Sequence, residues 1–265
     1  MKLEVVNGSY AYPSGRCLFE DLNYRLEDQS ILTVLGRNGV GKTTLLKCIM
    51  GILKWRNGTL RLNGEDVGSA LKARGVAYVP QAYSFSFSYT VRDIVTMGRA
   101  RYMGSLSIPS KHDYACADAA LEQVGIADLR NRGCGQLSGG QLQLVFIARA
   151  LAAEPEIMIL DEPEHHLDFN NQFLVLELIE RLVHENHMSA IINTHYPDHA
   201  LQLADKSLML RRGAYLFGDT KELLTVENVR AYFGVESVIE VMERNHVPVP
   251  VFAVTGRMKQ QEVIK

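Results

Sequence analysis

The segment Gly36-Arg37-Asn38-Gly39-Val40-Gly41-Lys42-Thr43 constrains this chain more than any other. It fits the pattern G-x-x-x-x-G-K-[ST], in which glycines let the backbone curl so that its N–H groups converge on a phosphate. The chemistry demands a strand before the loop and a helix after it. Ser30–Leu35 is apolar and strand-sized, and Lys42–Leu53 carries apolar residues at helical spacing. A helix opening near Gly41 adds the positive end of its dipole. Lys42 is then placed to reach β- and γ-phosphates, and the Thr43 hydroxyl to hold Mg²⁺. Taken alone, the loop says only that a nucleotide binds.

A second segment supplies the matching carboxylates. Ile157-Met158-Ile159-Leu160 is an apolar run ending in Asp161-Glu162. A buried strand ending in two acids suits a Mg²⁺ ligand at Asp161 and a residue that orients and polarises water at Glu162. Phosphoryl transfer asks for positioned charge and a positioned nucleophile more than for covalent chemistry.

Between and beyond these segments, strands and helices alternate. Leu3–Val6, Leu18–Leu26, Val76–Val79, Ala190–Asn193 and Ser207–Leu210 read as strands. Helices are expected over Gly139–Ala153, Asn171–Glu185 and His199–Ala204. Such alternation implies a mainly parallel sheet in an α/β fold. Asn63-Gly64 between Thr59–Leu62 and Glu65–Val67 predicts a tight hairpin, so the first 70 residues are partly antiparallel. Residues 90–135 show helical spacing around Val91–Arg101 and Tyr114–Val124, the mark of a helical insertion.

Composition narrows the partners. The 265 residues carry a net charge of −2, with Lys and Arg scattered, which speaks against nucleic acid. Cys17, Cys48, Cys116 and Cys134 form no C-x-x-C pair and suit a reducing cytoplasm. No run approaches the roughly 20 apolar residues of a membrane span, and Met1-Lys2-Leu3-Glu4 leads into a strand pattern and not into a signal peptide. A protein of this kind would serve a membrane from its surface.

Leu137-Ser138-Gly139-Gly140-Gln141 precedes the long helix that begins at Gly139. Ser138 and Gln141 make a capping box, and two glycines at a helix start leave room for an anion. With this segment in place the chain resembles the ATP-binding-cassette ATPases over Leu3–Gly218, with the motifs in family order. The resemblance implies that Tyr12 stacks on adenine and that Gly36–Thr44, including Gly36, Asn38, Gly39, Val40, Gly41, Lys42, Thr43 and Thr44, cradles the phosphates of ATP. It implies that Gln81 touches Mg²⁺ and reports to a membrane partner, and that Ser138, Gly139, Gly140 and Gln141 form the signature. Asp161 becomes the Mg²⁺ acid beside Thr43, and Glu162 the catalytic acid. Asp168 lies in the loop that crosses to a second subunit, and His195 holds the γ-phosphate.

The resemblance also implies a phosphate-loop ATPase core over residues 1–220, with the N-terminal antiparallel sheet and a helical subdomain at about 83–140. Residues 221–265 would form an extension packed on that core. Two such domains pair head to tail, so this chain should act as a homodimer on separate polytopic permease subunits, at the cytoplasmic face of a membrane. Thr90–Arg99, Gln141–Leu151, Leu167–Gln172 and Leu224–Val235 look like the importers of iron–siderophore, haem or cobalamin chelates, which adds a solute-binding protein. Another solute, or a soluble ATPase of iron–sulfur cluster assembly, remains open. A DNA-repair ATPase would need a long coiled coil before the signature, and the spacing leaves no room. Glu164-His165-His166 stands where the family usually has Thr-Ser and a small or polar residue, Leu142 where it has Arg or Glu, and Tyr196 where it has Asp.

Two further features draw attention. Tyr83, Phe85, Phe87 and Tyr89 alternate with small residues, as in an edge strand or a surface that receives a helix of the membrane subunit. His165-His166 and His195 with His199 invite a transition metal, but adjacent histidines should point apart and Pro197 interrupts the second pair.

Overall fold

Twelve strands and eight α-helices form in the computed structural model, which describes residues 2–15, 17–72, 75–81, 89–104, 107–244 and 247–257. In chain order they are β1 (Leu3–Ala11), β2 (Cys17–Leu26), β3 (Ile31–Leu35), α1 (Lys42–Ile49), β4 (Asn57–Leu62), β5 (Glu65–Val67), β6 (Val76–Val79), α2 (Val91–Thr96), α3 (Lys111–Val124) and α4 (Gly139–Leu151). There follow β7 (Ile157–Asp161), α5 (Phe169–Glu185), β8 (Ser189–Asn193), α6 (Pro197–Leu203), β9 (Lys206–Arg211), β10 (Ala214–Asp219), α7 (Thr220–Leu223), α8 (Val226–Phe233), β11 (Val235–Arg244) and β12 (Val247–Arg257). The chain divides into two compact units, Leu71–Ala190 and Lys2–Ala70 with Ile191–Lys265.

In the second unit, β2-β1-β4-β5 is an antiparallel sheet. Its predicted hairpin forms at Asn63-Gly64, where both residues take positive φ, 51° and 85°. β1 runs past the expected end at Val6 because bulges at Val5/Gly8 and Gly8/Tyr10 absorb the kink at Asn7 without ending the pairing. In the same unit β3 pairs with β9 in parallel, and β9 pairs with β10 antiparallel. β3 and β8 are buried along their whole length, as expected of strands covered on both faces. α1 stops at Ile49, short of the predicted Leu53, because Gly51 turns left-handed at φ 74° and Ile52 N–H closes onto the Lys47 carbonyl.

The C-terminal segment, expected only as an extension packed on the core, ends in the β11–β12 hairpin. Leu223, Leu224, Val229 and Tyr232 share a buried cluster with Leu35, Ala200, Leu201 and Met209. Val235, Ile239 and Phe252 pack against it from the hairpin.

In the first unit, β6 and β7 pair in parallel, Val76 to Ile157 through Val79 to Leu160. Helices α2, α3 and α4 pack on one another, each opened by a capping box: Thr90–Asp93, Ser110–Asp113 and Ser138–Gln141. The helical stretch predicted to Arg101 tightens to 3₁₀ at Met97–Tyr102. There Gly98 lies against the Arg149 carbonyl, and the buried Arg99 donates to the Ala152 carbonyl at 2.9 Å and to Glu154 at 2.7 Å.

Candidate functional site

The phosphate loop lies between β3 and α1. Gly36 has φ 148°, and an added Cβ would overlap the Leu210 carbonyl oxygen. Gly41 caps α1 at φ 114°. Those two positions give the loop its curl, and no other residue type fits at Gly36. Arg37, Asn38 and Gly39 form an exposed rim, while Val40 is buried beneath it. Lys42 is only 5% exposed, and its ammonium donates to the Gly36 carbonyl at 2.9 Å. A buried ammonium at the start of a helix, behind a glycine-curled loop, suits a polyphosphate.

Neighbouring side chains of the same unit set this loop. Tyr12 is 39% exposed, meets Tyr10 edge-on at 5.5 Å, and its hydroxyl lies 3.1 Å from Thr44 Oγ1. Thr43 is exposed and its hydroxyl accepts from Asn193 Nδ2 at 3.4 Å. Asn193 closes β8, is fully buried, and was missed by sequence reasoning; its signal was a polar residue ending an apolar strand. His195 follows on a turn in which Tyr196 N–H donates to Thr194 Oγ1 at 3.1 Å. The Tyr196 ring lies 4.0 Å from the His195 ring and 4.7 Å from that of His199. Pro197, expected only to interrupt this pair, is the first residue of α6, where its missing N–H costs nothing.

The first unit carries the carboxylates. Asp161 ends the fully buried β7 and accepts from the Tyr78 hydroxyl at 3.3 Å, a partner invisible in the sequence. Glu162, next in the chain, takes φ 48°. A non-glycine residue there is strained, and such strain concentrates at functional positions. Gln81 is half-buried and its Nε2 lies 2.7 Å from His165 Nδ1. The rings of His165 and His166 stand 3.8 Å apart, so the expectation that adjacent histidines diverge fails. That rule belongs to extended strands, and His166 sits in a turn at φ 62°.

The signature opens α4, where Ser138 Oγ accepts from Gln141 N–H at 3.2 Å and Gln141 Oε1 from Ser138 N–H at 3.1 Å. Ser138 and Gly139 are exposed. At Gly140 an added Cβ would meet Asn171 Cγ at 2.9 Å. Asn171 in turn donates to Asp168, the N-cap of α5, from its backbone at 2.9 Å and its side chain at 2.8 Å. These bonds hold the Asp168 carboxyl below its ordinary range. Asn171 thus links two motifs that the sequence keeps apart. Tyr83, Phe85 and Phe87 lie outside the described residues, and Tyr89 is 43% exposed. All four cysteines are free thiols.

In the first unit the Asp161 carboxylate and the Gln81 carboxamide are hard oxygen donors, as is the Thr43 hydroxyl in the second, and donors of this kind fit Mg²⁺. No helix among the described residues is long and apolar enough to cross a membrane.

A family model described as ABC transporter matches residues 19–165. The molybdate import ATP-binding protein MolC of Haemophilus influenzae is 38% identical over 231 residues, 87% of each chain. The chelated iron transport system membrane protein YfeB of Yersinia pestis is 34% identical over 88% of this chain and 79% of its own. A solved structure of an inward-facing transporter described as metal-chelate type superposes with a TM-score of 0.87 at 35% identity, covering 95% of this chain and 96% of the other. The family match spans the loop, the signature and the carboxylate strand, and this chain is a member of the ABC transporter family, an ATP-binding component that hydrolyses ATP.

Proposed function

We propose that the chain powers import of a metal chelate, of the iron–siderophore, haem or cobalamin kind, through a separate permease. The observation that carries this reading is the likeness to the metal-chelate type transporter, which covers 95% of the chain and so reaches beyond the residues common to the family. Relatives named for chelated iron, an iron chelatin and cobalamin point the same way. The motor works at the cytoplasmic face as a homodimer, and a solute-binding protein delivers the chelate. One set of motifs per chain supports the dimer, as do Phe169 at 89% and Phe173 at 53% exposure on the first turns of α5.

Each motif has its part in hydrolysis. Tyr12 stacks on adenine. The N–H groups from Gly36 to Thr44 and the Lys42 ammonium bind the phosphates and orient the chain for in-line attack. Thr43, Asp161 and Gln81 would hold Mg²⁺, which would supply positive charge against the phosphates. Glu162 orients the attacking water and accepts its proton, while His195 hydrogen-bonds the γ-phosphate. Ser138, Gly139, Gly140 and Gln141 of one copy face the nucleotide of the other, with Asp168 beside them. ATP binding favours the closed pair, and hydrolysis lets it reopen.

Purification of the tagged chain from its native membranes tests the reading. A polytopic permease should accompany it, and vesicles holding the complex should take up an iron chelate only with ATP. Purely soluble partners would overturn it.

A further inference from the structure

We propose that His165 is a positioning residue that sets which end of the Gln81 carboxamide is offered to the metal–nucleotide. The inference rests on the reading of Gln81 as a cation ligand and adds the group that aims it.

The contact joins Gln81 Nε2 to His165 Nδ1 at 2.7 Å, across 84 positions of sequence. An amide nitrogen can only donate, so the imidazole accepts at Nδ1 and carries its proton on Nε2. With Nε2 of Gln81 engaged, the free end of the amide is Oε1. That oxygen is the one carboxamide atom able to ligate a hard cation or accept from its bound water. The opposite orientation would engage Oε1 and turn two N–H donors toward the cation.

The turn that carries His165 is itself held. His165 N–H donates to the Glu162 carbonyl at 3.1 Å, so the residue that aims Gln81 is tied to the turn of the catalytic acid. Glu164 is fully buried, and its carbonyl accepts from Leu167 N–H at 3.3 Å and from Gln172 Nε2 at 3.4 Å. The His166 ring, 3.8 Å away and inclined by 68°, braces the His165 ring. A histidine so braced has little rotamer freedom left, which is what an outer partner of a metal site requires.

Isosteric substitutions separate this role from a structural one. An Asn at this position places Oδ1 near the site of His Nδ1, whereas a Gln places Oε1 near that of Nε2. The experiment measures Mn²⁺ binding to the full chain by electron paramagnetic resonance, with Mn²⁺ standing for Mg²⁺ and a non-hydrolysable ATP analogue present. His165→Ala and His165→Gln should weaken Mn²⁺ affinity by roughly 10–100-fold, the usual effect of losing an outer partner. Analogue binding measured in EDTA should stay unchanged in both. His165→Asn should restore Mn²⁺ affinity to near the wild-type value. An Asn variant no better than Ala, or an Ala variant equal to wild type, overturns the proposal. Gln81→Ala tells the two levels apart. If it leaves Mn²⁺ affinity untouched, the reading of Gln81 as a ligand fails and the proposal with it. If it weakens Mn²⁺ while His165→Ala does not, only the positioning role fails.

Discussion

The Tyr12 hydroxyl lies 3.1 Å from Thr44 Oγ1, so the aromatic proposed for adenine is tied directly to the loop proposed for phosphate. The tie fixes a distance between two subsites that a single nucleotide must span. Tyr12→Ala removes the stacking platform and should weaken ATP binding by roughly ten-fold or more, since base stacking on an aromatic is worth about 1–3 kcal/mol. Tyr12→Phe keeps the ring and should cost only a few-fold. Titration with a fluorescent ATP analogue reads both, and equal affinities for wild type and Tyr12→Ala would refute the stacking role.

Gly36→Ala should be far more damaging than its size suggests. The added methyl meets the Leu210 carbonyl, and backbone cannot step aside as a flexible side chain can. The variant should lose nucleotide binding and melt at lower temperature, as seen by calorimetry with and without ATP. A variant that still binds ATP normally would show that the loop curls differently.

The Tyr24 hydroxyl is buried with no hydrogen-bond partner among the described residues, and burial drives its ionisation well above the ordinary range. Tyr24→Phe deletes an unsatisfied donor and keeps the ring against Phe217, 6.2 Å away. The substitution should be neutral or stabilising by up to about 1 kcal/mol in urea unfolding. A clear loss of stability would mean that the hydroxyl is satisfied in solution.

Cys48 gives a pH signature. Burial raises its thiol to about 12 from the ordinary 9.0. The unfolded chain ionises first, so the stability from the neutral buried thiol is intact below pH 9 and declines as pH rises toward 12. Tyr24, Cys134 and Tyr232 are shifted upward by burial too and add to the decline. Cys48→Ala should flatten the fall in unfolding free energy between pH 8.5 and 10.5. An unchanged slope would assign the fall to the other groups.

The phosphate loop, the carboxylate strand, the signature and the core strands were legible because each is local. A run of adjacent residues has to satisfy its own backbone and present its own chemistry, whatever lies elsewhere. Ser138 and Gln141 form their capping box from four consecutive residues. Asn63-Gly64 turns because both residues tolerate positive φ. Boundaries were less legible. α1 ends at Ile49 because Gly51 is left-handed, and β1 continues past Asn7 because a partner strand on each side absorbs the bulge.

Sequence alone determined that this chain carries an ATP-binding cassette and which residue types are proposed to meet the nucleotide, since a glycine-rich curl, a lysine and a strand-end acid carry that chemistry wherever they fold. Only the tertiary structure decided what aims those groups. Asn193 against Thr43, Tyr78 against Asp161, His165 against Gln81 and Asn171 between Gly140 and Asp168 are side-chain contacts, and most of them join residues far apart in the chain. Such pairs form because neighbouring strands and turns bring them within about 3 Å, the reach of a hydrogen bond, and no local spacing records that approach.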